Sequence, residues 1–406
     1  MGPGWHLFDE SEKEQILDVL NSKEFNRYRF NGENKLSKTM EFERFFSNDI
    51  GSSHAIGMNS CTSALYCGLL SLGIGPGDEV IVPAYTFIAS ISAVVYTGAV
   101  PVLAEIDNSL TIDVNDVQKK ISPRTKAVMG VHMLGNSCNM TELQKIAEEY
   151  KLFLVEDVAQ ANGGSFLGQK LGSIGDFGVF SLNVFKMITS GDGGILTTSC
   201  DDLYKRAFAI HDHGFSPLGS RVSDDNSILG LNFRMNEFVS AIALAQVKKI
   251  PYILSRLKKN KEIFKSVLGD SSRFEYRRLN DPDGETATVI VMIFHDKQEA
   301  DLVAEKGGTF TLVNSGKHVY SNMAQLISKK TPLRKGPPFY SSEFPSDISY
   351  SPGFLGQTDQ ILERSVALSI GVQDSYLGTG YGLNIMSSEE EIALTARNLK
   401  KIISCA

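Results

Sequence analysis

Between residues 54 and 156, short apolar runs alternate with helical patterns, and this rhythm constrains the fold more than any other feature. Strands are expected over residues 54–58, 79–82, 100–105, 126–131 and 152–156. Helices are expected between them, over 62–72, 86–96, 113–121 and 141–150, with a turn at 73–77. Short apolar strands separated by helices build an α/β fold whose mostly parallel sheet is covered on both faces. Ligands bind such sheets beyond the carboxyl ends of the strands, and Asp157 stands at one of those ends. Residues 80–104 carry no charge over 25 positions, enough to cross a bilayer. Yet Pro83, Gly98 and Pro101 interrupt the run, and Thr86, Ser90, Ser92 and Thr97 wet it. Strand, helix and strand in succession is the better reading.

The 406 residues divide into three parts on texture. Residues 1–35 read as an N-terminal helix (9–21) and a polar arm that runs from Asn26 to Lys38. Residues 36–250 read as the large domain, closing with a helix at 234–249. Residues 251–406 read as a smaller C-terminal α+β domain. It opens with a more basic helix (251–267), has strands at 288–294 and 309–313 and a Pro/Ser/Gly-rich stretch at 331–356, and ends in a helix capped by Ser388.

Composition narrows the partners. A net charge of -7 without a Lys/Arg cluster argues against nucleic acid. Five cysteines without paired spacing suggest reduced thiols in a cytoplasm, with neither a disulfide framework nor a zinc site. The acidic N-terminus lacks the basic-then-apolar order of a signal peptide, so a cytoplasmic chain without a membrane segment is expected. A DNA-binding module in this acidic segment is not expected either.

Residues 152–198 carry the chemistry. An apolar run ends in Glu156-Asp157, a glycine-rich segment follows, and a second run (177–182) leads to Lys186 and the turn Gly191-Asp-Gly-Gly194. Buried acids and lone buried lysines are unfavourable and are concentrated at functional sites. Lys186 lies among Phe185, Met187 and Ile188, which speaks against an ordinary surface lysine. A desolvated lysine has a lowered pKa and forms a Schiff base with a carbonyl. Asp157 alone would read as a helix cap or a salt-bridge partner. Beside such a lysine it suits the ring nitrogen of pyridoxal phosphate, which needs an acid to stay protonated. Residues 59–63 (Asn-Ser-Cys-Thr-Ser) follow a strand and open a helix, a cradle for phosphate. Many helices begin this way, so the signal is weak by itself. Ser181 adds a hydroxyl, and Phe87 either stacks on a ring or packs in the core. No GxGxxG, Walker A or HExxH motif occurs, and His211-Asp212-His213 lacks further ligands for a metal.

Together these positions resemble the DegT/DnrJ/EryC1/StrS sugar aminotransferases, pyridoxal-phosphate enzymes of fold type I. The markers are Ser60-Cys-Thr-Ser-Ala-Leu65, Gly73-Ile-Gly-Pro-Gly-Asp-Glu-Val80, Pro83-Ala-Tyr-Thr-Phe87 and Val131-His-Met-Leu-Gly135. Glu156-Asp-Val-Ala-Gln160, Gly172-Ser-Ile-Gly-Asp176, Phe180-Ser181 with Lys186, and Gly230-Leu-Asn-Phe-Arg-Met235 follow in order. The resemblance implies that Lys186 holds the cofactor and shuttles a proton, while Asp157 pairs with the ring nitrogen. It implies that Gln160 meets the ring hydroxyl, that Phe87 stacks on the ring, and that Cys61, Thr62 and Ser181 hold the phosphate. Asn232 would reach the cofactor phosphate of a neighbouring subunit, which implies a homodimer, and His213 would line the substrate side. The implied reaction moves an amino group from glutamate or glutamine to a keto-sugar or related keto compound. The chain departs from the family pattern at Cys61, at Asp192 and most strongly at Leu368-Ser-Ile-Gly-Val372, where Leu-Pro-Leu-His is usual. The segments Arg27-Tyr-Arg-Phe-Asn-Gly32 and Lys317-His-Val-Tyr-Ser-Asn322 resemble a branch acting on acidic eight-carbon keto-sugars or cyclitols. Related dehydratases carry His where Lys186 stands. Other cofactor-dependent eliminations or carbon–carbon reactions, and a non-catalytic sensor on the same fold, are the remaining alternatives.

Overall fold

The computed structural model describes residues 1–28, 36–217, 228–332, 335–341, 344–345, 348–380 and 382–405. Most of the polar arm, and with it part of the Arg27–Gly32 segment, lies outside the described residues, as do several positions of the 331–356 stretch.

The expected alternation is present. Strands β1 (His54–Met58), β2 (Glu79–Pro83), β3 (Val100–Ala104), β4 (Thr125–Val131) and β5 (Phe153–Asp157) are separated by helices such as Cys61–Ser71 and Ile88–Thr97. A short ribbon of β6 (Ser165–Phe166) and β7 (Gln169–Lys170) follows, then β8 (Phe177–Ser181) and β9 (Gly194–Thr198). The seven long strands form one sheet in the order β1-β9-β8-β5-β4-β2-β3. Only β9 runs against its neighbours, so the other strands deliver their carboxyl ends to one edge.

The apolar runs are explained by burial on both faces. Val80 and Val82 of β2, and Ala127, Met129 and Val131 of β4, pack into one cluster. The intervening Ile81 and Val128 pack into the other. Each such side chain contributes roughly 1.5–3 kcal/mol when fully buried. A second sheet of three antiparallel strands, β10 (Phe274–Tyr276), β11 (Val289–Phe294) and β12 (Ser365–Ser369), has β11 at its centre. No single helix among the described residues is long and apolar enough to cross a membrane.

Residues 309–313 are not a strand. Thr311 makes only an isolated bridge to Val366, and Leu312–Asn314 turns as a 3-10 helix, because Asn314, Ser315 and Gly316 favour turns. The edge position goes instead to β12, which the sequence reading passes over. That reading also passes over β9 and the helices Lys38–Ile50, Asp201–His211 and Lys297–Lys306. The first of these buries Phe42, Phe46 and Ile50, spaced four apart on one face.

At the end of β5 the two acids point to opposite faces, as strand geometry requires. Glu156 is fully buried and accepts the N–H groups of Gly172, Ile174 and Gly175 at 2.9, 2.7 and 2.7 Å. His132 Nε2 lies 3.2 Å from the same carboxylate. Because the Cys138 N–H donates to His132 Nδ1 at 3.0 Å, the ring proton sits on Nε2, facing Glu156. Glu156 therefore ties the turn before β8 to the sheet. Replacing it by Gln removes the charge from these bonds and sets an N–H₂ against backbone donors. Glu156→Gln is expected to lose about 1–3 kcal/mol of stability, read as a lowered urea midpoint at unchanged m value.

Candidate cofactor site

The carboxyl edge of the sheet opens into a cavity of about 680 Å³. Its floor carries Asp157 at the tip of β5 and Ser181 at the tip of β8. Cys61 and Thr62 enter from the helix after β1, Phe87 from the cap of the helix after β2, and Lys186 from the turn after β8. Gln160 completes the wall three residues beyond Asp157. Seven of the nine sequence candidates therefore line one cavity. Asn232 does not: it is exposed, bridges Asp212 through its backbone, and its side-chain oxygen accepts the Arg234 N–H at 3.3 Å. His213 also stands apart from the cavity, beside Asp212 and Arg234.

At one end of the cavity is a donor cradle. Ser60 caps the Cys61–Ser71 helix by accepting the Ser63 N–H, and the N–H groups of Cys61 and Thr62 have no partner among the described residues. They and the Thr62 and Ser181 hydroxyls suit an anion, favoured further by the helix dipole. A Cβ on Gly194 would collide with the Cys61 N–H, so only glycine lets β9 pass this close to the cradle. Burial, reinforced by the Asp157 charge, pushes the Cys61 thiol well up; Cys61 offers its backbone N–H and not a thiolate.

At the other end Asp157 is 4% exposed. One carboxylate oxygen accepts the Ser90 hydroxyl at 2.7 Å, and the other accepts the Ala159 N–H at 3.1 Å. With Ser90 donating to Asp157, the Thr86 hydroxyl, 2.7 Å from Ser90, donates to it in turn. These bonds fix the carboxylate at the floor of the cavity, within reach of a ring nitrogen bound there.

Lys186 is half-buried, and loss of solvation lowers its pKa, with the charges of Asp157 and Asp374 opposing the shift. Gln160 accepts the Leu134 N–H at 3.1 Å through its side-chain oxygen. That leaves the Gln160 N–H₂ as a donor to the cavity. Phe87 is 42% exposed, with its ring 5.1 Å from that of His318.

Ser90, His318, Asp374 and Tyr376 also line the cavity and were missed as individual site residues. Ser90 sits one helical turn from Phe87, a spacing that could have pointed to it. His318 lies in the singled-out 317–322 segment. Asp374 and Tyr376 belong to an irregular segment, and no local pattern announces them. Gly2 is a further absentee from the sequence reading: it donates to Val184 O at 2.9 Å, packing the N-terminal helix Pro3–His6 under the Lys186 turn. Among the described residues, no group of three His, Cys, Asp or Glu could hold a metal. His211 instead contacts Phe208 O and Arg27.

An anion cradle, a buried acid, an amide donor and a desolvated amine around one apolar-walled space suit a phosphorylated aromatic carbonyl compound. The architecture is fold type I of the pyridoxal-phosphate aminotransferases. It matches the aminotransferase from Psychrobacter cryohalolentis with a TM-score of 0.80 at 24% identity, over 100% of this chain and 99% of that one. It also matches GDP-4-keto-6-deoxymannose-3-dehydratase, at TM-score 0.75 and 21% identity, over 98% of each chain. This chain belongs to the DegT/DnrJ/EryC1/StrS aminotransferase family, whose model matches residues 7–315. It is 41% identical over 212 residues to the GDP-perosamine synthase of Caulobacter vibrioides, which is 52% of this chain and 56% of that protein. The match thus spans little more than half of that relative.

Burial also marks two histidines. Loss of solvation lowers His318 to about 3, helped by the Lys186 charge, and lowers His211 to about 3, helped by Arg27. In the unfolded chain both titrate near 6.5. Between these values the unfolded state binds protons that the folded state refuses, so stability falls as pH drops through this window. The expected slope is about 1.4 kcal/mol per pH unit for each histidine. Urea midpoints measured from pH 7 to pH 4 should fall, and His318→Asn should flatten part of the decline.

Proposed function

We propose that this chain is a pyridoxal-phosphate-dependent aminotransferase that transfers an amino group from glutamate or glutamine to a keto-sugar or related keto compound. The observation that carries the reading is the placement of Asp157 and Lys186 in one cavity with a free N–H cradle. Bound pyridoxal phosphate supplies an aldehyde that captures amines and a protonated ring that takes up electrons.

The residues of the chain divide the remaining work. Cys61 and Thr62 N–H groups with the Ser181 hydroxyl hold the phosphate. Asp157, oriented by Ser90 and Ala159, holds the proton on the ring nitrogen. Gln160 donates to the ring hydroxyl, and Phe87 covers one ring face. Burial lowers the pKa of Lys186, which eases the loss of its proton before Nζ binds the carbonyl. The same nitrogen would take the proton from the donor's α-carbon and hand it to the cofactor carbon that had carried the carbonyl. The second half-reaction runs in reverse on the keto acceptor, so ping-pong kinetics follow.

The active unit in this reading is a homodimer. Asn232 lies outside its own cavity, next to exposed Leu229 and Leu231, a placement suited to reaching a second subunit's phosphate.

Dehydration on the same fold is the second reading, favoured by the dehydratase among the fold neighbours. The lysine at 186, where such dehydratases carry histidine, weighs for transfer.

The absorption spectrum of protein mixed with pyridoxal phosphate tests this. A visible band is expected for the wild type and is expected to be lost in Lys186→Ala. Adding glutamate or glutamine should shift the wild-type band to the ultraviolet as the cofactor takes up the amine. A band unchanged in Lys186→Ala would refute attachment at this residue, and a band insensitive to both donors would refute the donor assignment.

A further inference from the structure

We propose that Arg277 is a positioning residue for Gln160, acting through the backbone of Leu134; this rests on the cofactor reading above. Leu134 adopts the left-handed conformation, at φ 54° and ψ 36°. For a residue other than glycine this conformation is unfavourable and persists only where surroundings enforce it.

Arg277 supplies the enforcement. It is 5% exposed and follows β10 of the second sheet, with its own N–H bound to Val291 O at 3.1 Å. Its Nη1 donates to Met133 O at 3.1 Å, and its Nη2 to Leu134 O at 2.6 Å. Glu285 neutralises the guanidinium at 3.1 Å and is itself held by Lys261. The next residue is fixed from the same side, because Thr286 N–H donates to Gly135 O at 3.1 Å.

Peptide planarity turns this clamp into a device for Gln160. Met133 O and the Leu134 N–H lie at opposite ends of one rigid plane. Fixing the oxygen on Arg277 therefore aims the N–H, which donates to Gln160 Oε1 at 3.1 Å. An amide side chain has a donor end and an acceptor end that are nearly equal in shape. Engaging its oxygen on Leu134 is what commits the N–H₂ to the cavity. The Asn136 N–H holds Met133 O within its own turn at 3.1 Å; without Arg277 the plane is fixed at that one point only, and the amide gains freedom to rotate. A residue that follows β10 of the second sheet thus sets the polarity of a side chain in the turn after β5.

The test is a double-mutant cycle on cofactor-loaded protein, using Gln160→Leu, Arg277→Met and the double variant. Two readouts are used: the pH midpoint of the visible band and the dissociation constant for pyridoxal phosphate. Loss of one hydrogen bond to the ring system is expected to move the midpoint by roughly 0.5–1 pH unit in Gln160→Leu. Arg277→Met should move it in the same direction, and the double variant should match Gln160→Leu alone. Arg277→Lys keeps a charge beside Glu285, and with it the fold, but offers a compact donor in place of the fork. It should give part of the shift at a near wild-type melting temperature, which covers the case in which Arg277→Met does not fold. Additive shifts in the cycle, or no shift in either Arg277 variant, would overturn the positioning role. If wild-type protein shows no visible band at all, the cofactor reading fails and this proposal falls with it.

Discussion

The buried carboxylate at the end of β5 is the constraint on which the rest depends. A carboxyl group that is 4% exposed needs hydrogen-bond partners around it, and here those partners are Ser90 and the Ala159 N–H. Ser90 can stand there only because β2 ends beside β5's neighbour β4 and its helix starts at Ile88, directly over the carboxyl edge. The acid next to it faces away and spends its acceptors on the 172–175 turn, which in turn launches β8 toward Ser181 and Lys186. One strand end therefore organises both the floor of the cavity and the route to the lysine.

Much of this was legible because local pattern and tertiary role coincide. The strands β1 to β5 are buried on both faces, so their apolar runs survive as continuous signals. The Ser60 cap and the Gly191-Asp-Gly-Gly194 turn are short-range features whose chemistry is visible in the residues themselves. What failed was of a different kind. β12 was read only as a departure from a familiar motif, because five residues with Ser at both ends carry little pattern until β11 pairs with them. Residues 309–313 have strand-like content, and the turn formers just beyond them decide otherwise. Asp374 and Tyr376 reach the cavity from a loop, and loop placement is set by partners distant in sequence.

Arg277 illustrates the same limit from the other side. In sequence it is one of two adjacent arginines in a polar stretch, with nothing to distinguish it from Arg278. In the structure Arg278 reaches Asp107 near the surface, while Arg277 is enclosed with Glu285 and Lys261. Burying a guanidinium is unfavourable unless its charge and its donors are met, and the carbonyls of Met133 and Leu134 meet them. The ion pair and the strained leucine satisfy each other's requirements.

The cavity is divided in a way that bears on substrate choice. Its floor and cradle come from residues before 200, inside the segment matched by the family model, which ends at residue 315. Its mouth is built beyond that point, by Lys317, His318, Asp374 and Tyr376. These form a unit: Tyr376 packs over Gly316, and its hydroxyl accepts the Lys317 N–H at 2.7 Å. Tyr376 accordingly keeps its own hydroxyl proton for another acceptor, and His318, with Nδ1 on Ser315 O, keeps Nε2 as an unprotonated acceptor. A cationic, an anionic, a donor and an acceptor group at one opening can recognise a polyhydroxylated ketone, whose hydroxyls both give and take hydrogen bonds. Chemistry common to a family is thus held by the large sheet, where packing on both faces leaves little freedom. In the proposed reading the loop-built rim is the part of the cavity that meets the acceptor, and it is built apart from the strand ends beneath.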